Sequence, residues 1–294
     1  MALRERVLKF HDKYYKHLLF VMIALLVVSL GYLFVFYSNN GDVINKDISL
    51  TGGTSITIDF PTDIVALKVF LTNNFDEFSI REISDLRTGQ EIAFIVEVRE
   101  SPEVILPLLE DYLGVSLDDT NSSVEFTGSS LGEGFYNQLR IAIIIAFILM
   151  SLVVFFIFKT FVPSMAVVLS AFADIVMTVA VVDFLGISVS SAGIVAFLML
   201  IGYSVDSDIL LTTKILKSRE GSVNRRLFDA FKTGITMTLT SLVAVVISLL
   251  VVSTFSEVLT QIFTVVFIGL LIDIPNTWIS NASIIKWYAK KKGL

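Results

Sequence analysis

Apolar residues in this chain come in long unbroken blocks. A bilayer core about 30 Å thick needs roughly 20 consecutive apolar residues to be crossed by one helix. Six runs meet that length: 18–37, 139–158, 163–185, 191–213, 235–253 and 258–280. The polar stretch 38–138 separates the first from the second, and the last five follow one another through short connections. The pattern predicts a polytopic α-helical membrane protein with six transmembrane helices in a 1+5 arrangement. Its expected parts are a tail (1–17), a first span (18–37), an external domain (38–138), a five-helix block (139–280) with a cytoplasmic loop at 214–234, and a basic tail (281–294). No small-residue cleavage site is obvious after the first run, so it reads as a retained anchor.

Within 38–138 the periodicity changes. The residues after Thr54 alternate as a strand (Ser-Ile-Thr-Ile-Asp-Phe), and Pro61-Thr62-Asp63 opens a helix to about residue 75, with Thr62 or Asp63 as its cap. Residues 80–86 and 91–98 read as strands joined by a turn at Thr88-Gly89-Gln90. Ser101-Pro102-Glu103 starts a second helix to about residue 113, and 123–126 is a last strand. The order β-α-β-β-α-β predicts a small ferredoxin-like α+β unit.

Composition agrees with lipid as the solvent: of 294 residues 54% are hydrophobic, and mean hydropathy is +0.79. Net charge is −6, but the bases are unevenly placed. The tail before the first span carries Arg4, Arg6, Lys9, Lys13 and Lys16; later connections carry Lys159, then Lys214, Lys217, Arg219, Arg225, Arg226 and Lys232; the end carries Lys286, Lys290, Lys291 and Lys292. With six spans all of these fall on one side, which the positive-inside rule makes cytoplasmic. Both termini are then inside and 38–138 is extracytoplasmic. That segment is acidic, which suits neither nucleic acid nor anionic lipid. The connection 214–231 has Leu227, Phe228 and Phe231 at helical spacing, and is either a short amphipathic helix on the cytoplasmic surface or a solvated basic loop.

There is no cysteine, and the two histidines, His11 and His17, sit in the tail. No motif assembles a nucleophile, base and orienting group, so neither an enzyme nor a metal site is expected. The chemistry lies in acids at membrane depth, each costing about 2.5–3.5 kcal/mol to insert at a helix centre. Asp183 and Asp273 lie near span ends where water reaches them, whereas Asp174 is deep, with Thr178 one turn on as a local hydrogen-bond partner. Asp206 and Asp208 share the fourth span. Two residues apart, they point roughly 200° from each other, so both cannot face one partner. Gly202 in that span would admit a close helix. Lys232 opens the fifth span and offers a counter-charge, and the hydroxyls of Thr233, Thr236, Thr238, Thr240 and Ser241 follow it. Acids inside a span mark ion or proton pathways, or fasten helices together.

The 1+5 pattern with a domain after the first span resembles half of an RND-superfamily transporter. Three segments make the chain similar to the SecF family of the SecDF protein-export complex: Asp47-Ile48-Ser49-Leu50-Thr51-Gly52-Gly53-Thr54 after the first span, Gly202-Tyr203-Ser204-Val205-Asp206-Ser207-Asp208 in the fourth, and Thr127-Gly128-Ser129-Ser130-Leu131-Gly132 before the second. The Asp-Ser-Asp form departs from the bacterial Asn-Asp-Ser and resembles the archaeal branch. Lys232 stands where the family has an arginine.

The resemblance implies a cell-membrane protein with SecD as obligate partner, because a polar-lined half bundle needs a second half for its inner acids to face. It also implies a SecY-type channel and translocating preproteins as further partners. Coupling is to the proton motive force, with H+ or Na+ as the ion. Ion-relay candidates are Asp206 first, then Asp208, Lys232 and Asp174. Gly202, Tyr203 and Ser204 form the span motif, and Asp47, Gly52, Gly53 and Thr54 form a hinge below the domain. Two other readings are a non-transporting scaffold of the translocon and an RND-type small-molecule exporter.

Overall fold

The computed structural model describes residues 2–59, 62–75, 78–84, 91–218, 221–253 and 256–293. Six of its helices are long and apolar enough to cross a membrane. The first, α1, is Ala2–Asn40. A short helix α2 (Ile48–Thr51) leads into β1 (Gly53–Ile58), α3 (Ile64–Asn74), β2 (Phe78–Ser84), β3 (Glu91–Val98), α4 (Pro102–Leu113) and β4 (Ser122–Thr127). Then come α5 (Ser129–Phe158), α6 (Phe161–Phe184), α7 (Ser191–Lys217), α8 (Val223–Val252) and α9 (Glu257–Pro275). The last of these runs through a π-helical turn, Asn276–Asn281, into α10 (Ala282–Lys291). The expected turn at 88–90 lies outside the described residues.

The four strands form an antiparallel sheet in the order β2-β3-β1-β4. Alternation sends Ile56, Ile58, Phe94, Val96 and Val98 to one face, where Leu67 and Leu71 of α3 and Ile105 and Leu109 of α4 cover them. Asp63 caps α3, accepting from the amides of Val65 at 2.9 Å and Ala66 at 3.2 Å. The opposite face is polar. Ser55 lies between Glu97 and Glu125 in register, and these three line a cavity of about 210 Å³ together with Asp47, Thr127 and Gln261.

In the bundle, α6 and α7 are central. Of their most apolar stretches 67% and 56% are buried, against 6% for α1 and 11% for α5, which turn Val28, Phe34, Ile148 and Leu152 outward as lipid-facing side chains do. Small residues let the central helices approach: α6 buries Ser164, Ala166, Ser170, Ala171 and Ala173. A Cβ at Gly269 of α9 would run into Leu200 of α7, and one at Gly234 of α8 into the Trp278 ring.

Two expectations change here. The stretch expected as the loop 214–234 is mostly helix: α7 continues to Lys217 and α8 begins at Val223, with Leu227 and Ala230 buried against Ile215 and Ile285. Among its described residues the apolar side chains continue the stripes of the two spans instead of forming a separate surface helix. The expected basic tail 281–294 is also mostly helix. Lys286 of α10 is fully buried and pairs with Asp12 at 2.8 Å, and Ser283 donates to the Tyr15 carbonyl at 3.1 Å, so the tail is bound to α1.

The hinge motif is a packed joint. Asp47 caps α2 through the Ser49 amide at 2.9 Å, and its own amide donates to the Val189 carbonyl at 3.0 Å. Val189 returns a bond to the Asn45 carbonyl at 2.7 Å, and Asp183 accepts from the Asn45 amide at 3.0 Å. Asp183 is therefore buried and tethers the segment before the sheet. Gly52 and Gly53 have φ of 83° and 139°; a Cβ on the first would meet the Ser129 backbone and on the second the Val98 carbonyl. Thr54 is buried and donates to the Glu100 carbonyl at 2.6 Å.

Gly52→Ala is expected to lower stability by about 2–5 kcal/mol, the left-handed strain adding to the clash. Thermal unfolding of the detergent-solubilised chain checks it, and an unchanged midpoint refutes it. A second test concerns Asp42. Burial works against its charge, but the Tyr136 hydroxyl at 2.5 Å, Lys46 at 3.1 Å and the Val43 amide at 2.7 Å outweigh that and hold its carboxyl below the usual range. A depressed folded value stabilises above the unfolded value of about 4 and is lost as pH falls through the folded one. The unfolding midpoint is expected to drop below about pH 4, and to drop less in Asp42→Asn.

Candidate functional site

The fourth and sixth spans each carry polar residues on one face, and α6 lies against both. In α7 the buried face includes Leu200, Ser204, Asp208 and Leu211, one residue every three or four, with Thr212 beside the last. After Gly269, α9 and its continuation place Asp273, Asn276, Thr277 and Asn281 on the inner side, all 1% exposed or less. The π-helical turn widens the helix there, and such turns concentrate at functional sites. It brings both Asn276 and Asn281, five residues apart, onto the acids.

The result is a two-layered cluster. In the layer nearer the sheet, Asp174 of α6 accepts from Ser204 Oγ at 2.5 Å and from Asn276 Nδ2 at 2.6 Å, so both its oxygens are satisfied. In the layer farther from the sheet, Asp208 Oδ1 accepts from Asn281 Nδ2 at 2.7 Å. Thr277 Oγ1 links the layers, 3.0 Å from Asp208 Oδ1 and 3.1 Å from Asp273 Oδ1. Asp208 Oδ2 and Asp273 Oδ2 are buried without a hydrogen-bond partner. Among the described residues no Lys or Arg pairs with any of the three acids. A hydroxyl and amide shell replaces the counter-charge expected of a buried carboxylate.

These placements revise several expectations. Asp206 and Asp208 do diverge, but Asp208 is the one inside; Asp206 is exposed with Gly202 and Tyr203 on the outer face of α7. Lys232 is exposed on α8 and, among the described residues, makes no ion pair with Asp206. The hydroxyls expected to hold water beside Lys232 bond their own helix instead: Thr233 to the Asp229 carbonyl at 3.1 Å, Thr236 to Lys232 at 2.8 Å and Thr240 to Thr236 at 2.7 Å. Thr178 bonds the Asp174 carbonyl, not its carboxylate, at 2.6 Å. Among the described residues nothing lies within 4 Å of a Cβ built at Gly202, so the close helix approaches described above are elsewhere. Asp273, expected to reach water, is in the cluster. The inner acids thus face one another within this chain instead of a second half.

Sequence reasoning missed Asn276, Thr277 and Asn281. Their signal was the spacing of 273, 276, 277 and 281, which puts four polar residues on one face of an apolar helix. It also missed Gln261, whose Oε1 accepts from the Ser190 amide at 3.0 Å and from the Ser190 hydroxyl, pinning the start of α7 to α9.

Comparison with known proteins fits this architecture. Residues 111–291 match the family described as protein export membrane protein SecD/SecF, C-terminal. The protein-export membrane protein SecF of Methanocaldococcus jannaschii is 39% identical over 283 residues, covering 94% of this chain and 96% of that protein. SecF of Methanolacinia petrolearia is 36% identical over 280 residues, 95% of each chain, and SecF of Pyrococcus furiosus 36% over 261 residues, 87% and 86%. The crystal structure of SecDF, a translocon-associated membrane protein, from Thermus thermophilus shares the fold with a TM-score of 0.74 at 20% identity. That match covers 94% of this chain and 38% of the SecDF chain. The chain belongs to the SecF group of the SecD/SecF family of protein-export membrane proteins.

Proposed function

We propose that this chain pairs with SecD in the cell membrane and assists preprotein passage through a SecY-type channel, drawing on the proton motive force. In this reading both termini are cytoplasmic, and the sheet unit is a ferredoxin-like extracytoplasmic domain that meets the emerging preprotein. The observation that carries the reading is Asp206. It stands exposed in the middle of an apolar span, without a partner among the described residues. An acid at that depth against lipid is costly. A second polar bundle against α7 and α8 removes that cost.

Lys232 supports the same surface. It lies roughly 14 Å from the start of α8, and Asp206 roughly 16 Å from the end of α7, at 1.5 Å per residue. The two helices are antiparallel neighbours, so both charges sit at similar depth on faces that this chain leaves uncovered. A carboxylate at a helix-bundle interface with a cation nearby changes partner when protonated, which is the step proton coupling needs. A scaffold reading would use Asp206 only as a packing contact to the second bundle, and the exporter reading gains nothing from it.

Asp206→Asn, close to isosteric, is expected to fold and copurify with SecD, yet to lower gradient-dependent export in proteoliposomes by roughly tenfold or more. Export unchanged by the substitution would sink proton coupling through this residue. A chain that no longer copurifies with SecD would make Asp206 a packing contact only.

A further inference from the structure

The end of the bundle that carries both termini holds a charged patch with no part in the Asp206 surface. Its frame is the pairing of α10 with α1. Asp12 of α1 lies 2.8 Å from the fully buried Lys286 and 2.8 Å from Lys290, and Ser283 donates to the Tyr15 carbonyl. These bonds bring two basic segments side by side. Within 11–17 and 282–293 there are six lysines and one acid, Asp12. Lys286 and Lys290 use that acid. Lys13, Lys16, Lys291 and Lys292 are exposed and, among the described residues, form no ion pair.

The patch lies at a definite depth. At 1.5 Å per residue, Lys16 and Lys13 lie roughly 3 and 8 Å outside the apolar run that begins at 18. The headgroup layer on each side of a bilayer is about 5–8 Å deep. The rings fit that depth: Trp287 is 44% exposed and Tyr14 36%, as in the aromatic belts at membrane surfaces. Lys291 Nζ lies 5.3 Å from the centre of the Trp287 ring, and Lys13 Nζ 5.1 Å from that of Tyr14. Just inside, α1 turns Phe20 and Val21 outward, so this side of the chain faces lipid. Other bases at the same end are already engaged. Arg226 donates to the Ile215 and Ser218 carbonyls, Arg225 lies 3.9 Å from Asp229, and Lys217 stands over the Phe158 ring.

We propose that the α1–α10 pair is a binding surface for anionic phospholipid, whose phosphates pair with Lys13, Lys16, Lys291 and Lys292 while Trp287 and Tyr14 lie at the acyl boundary. Charge and depth together select this occupant. Phosphates are the anions that a lipid-facing helix meets at headgroup level, and clustered lysines there attract them. Lysine stems lie along apolar surface while their heads stay with the phosphates. The Asp12 pairs hold the two helix ends together, so lysines from both meet one headgroup layer. The surface rests neither on the export reading nor on which side of the membrane the termini occupy.

The test places the full chain in nanodiscs of phosphatidylcholine with a minor share of phosphatidylglycerol, one of the two lipids carrying bromine on its acyl chains near the headgroup. Bromine quenches tryptophan fluorescence on contact. Of the two tryptophans Trp287 is the exposed one, and Trp278 is buried. Quenching is expected to show phosphatidylglycerol enriched about threefold or more around Trp287 relative to the bulk bilayer. Lys291→Gln with Lys292→Gln leaves the Asp12 pairs intact and should lower the enrichment by about half or more. Lys214→Gln with Lys217→Gln removes equal charge from α7 at the same end and should leave it unchanged. Replacing chloride by inorganic phosphate at constant ionic strength should leave it unchanged too. No enrichment in the wild-type chain, an equal loss in both double variants, or an excess that persists in Trp287→Phe overturns the proposal. Loss of the enrichment in inorganic phosphate marks a free-anion site and overturns it as well.

Discussion

A polar group inside a membrane span must find its partners within protein, because the hydrocarbon offers none. In this chain that constraint is met where α6, α7 and α9 cross. Asp174 accepts a hydrogen bond from Ser204 on one side and from Asn276 on the other, so three helices share one carboxylate. The small residues of α6 permit the approach, and the contacts of Gly269 with Leu200 and of Gly234 with Trp278 follow from it. The most apolar stretches of the outer helices α1 and α5 contribute little burial. The polar bonds of the centre act as registration: a slip of one residue along α9 would move Asn276 off Asp174 and Thr277 and Asn281 off Asp208 at once.

The same constraint organises the end that carries the sheet. Asp183 is held by the Asn45 amide, Val189 exchanges hydrogen bonds with Asn45 and Asp47, and Gln261 holds the cap of α7. The Gly-Gly-Thr segment then starts β1 against the backbone of Ser129. The sheet is therefore seated on the bundle by backbone bonds and close glycine contacts. The Asn45–Val189–Asp47 bonds fix the segment that leads into the sheet to the start of α7.

Much of the fold was legible in the sequence because its strongest signals are one-dimensional. Uninterrupted apolar runs gave the six spans, and alternation gave the strands, with 91–98 matching β3 end for end. What hydropathy cannot see is a helix continuing through polar residues. The runs at 191–213 and 235–253 therefore stopped short of α7 and α8, whose extra turns carry Lys214, Lys217, Arg225 and Arg226. Arg226 stays buried there by donating to the carbonyls of Ile215 at 2.6 Å and Ser218 at 2.7 Å, a use of charge that a topology count reads only as a cytoplasmic marker. The candidate site was half legible. The divergence of Asp206 and Asp208 follows from helical phase alone, but which one faces inward depends on where α7 packs, and motif position pointed to the other. Asp273 was misjudged because depth was counted from the span end, and the helix continues through the π-helical turn into α10.

Two acids two residues apart thus end in opposite environments, and that has a consequence for coupling. Asp208 is tied through Asn281 and Thr277 to α9, and Asp206 stands on the surface that a second bundle would cover. Both ride on the same rigid helix. A rotation of α7 that improved the surroundings of Asp206 against a partner would turn Asp208 away from Asn281, and the reverse. The Ala173–Asp174 stretch of α6 resists that rotation through the Ser204 bond. A single helix, read at 100° per residue, is enough to put the surface acid and the buried acid in opposite environments.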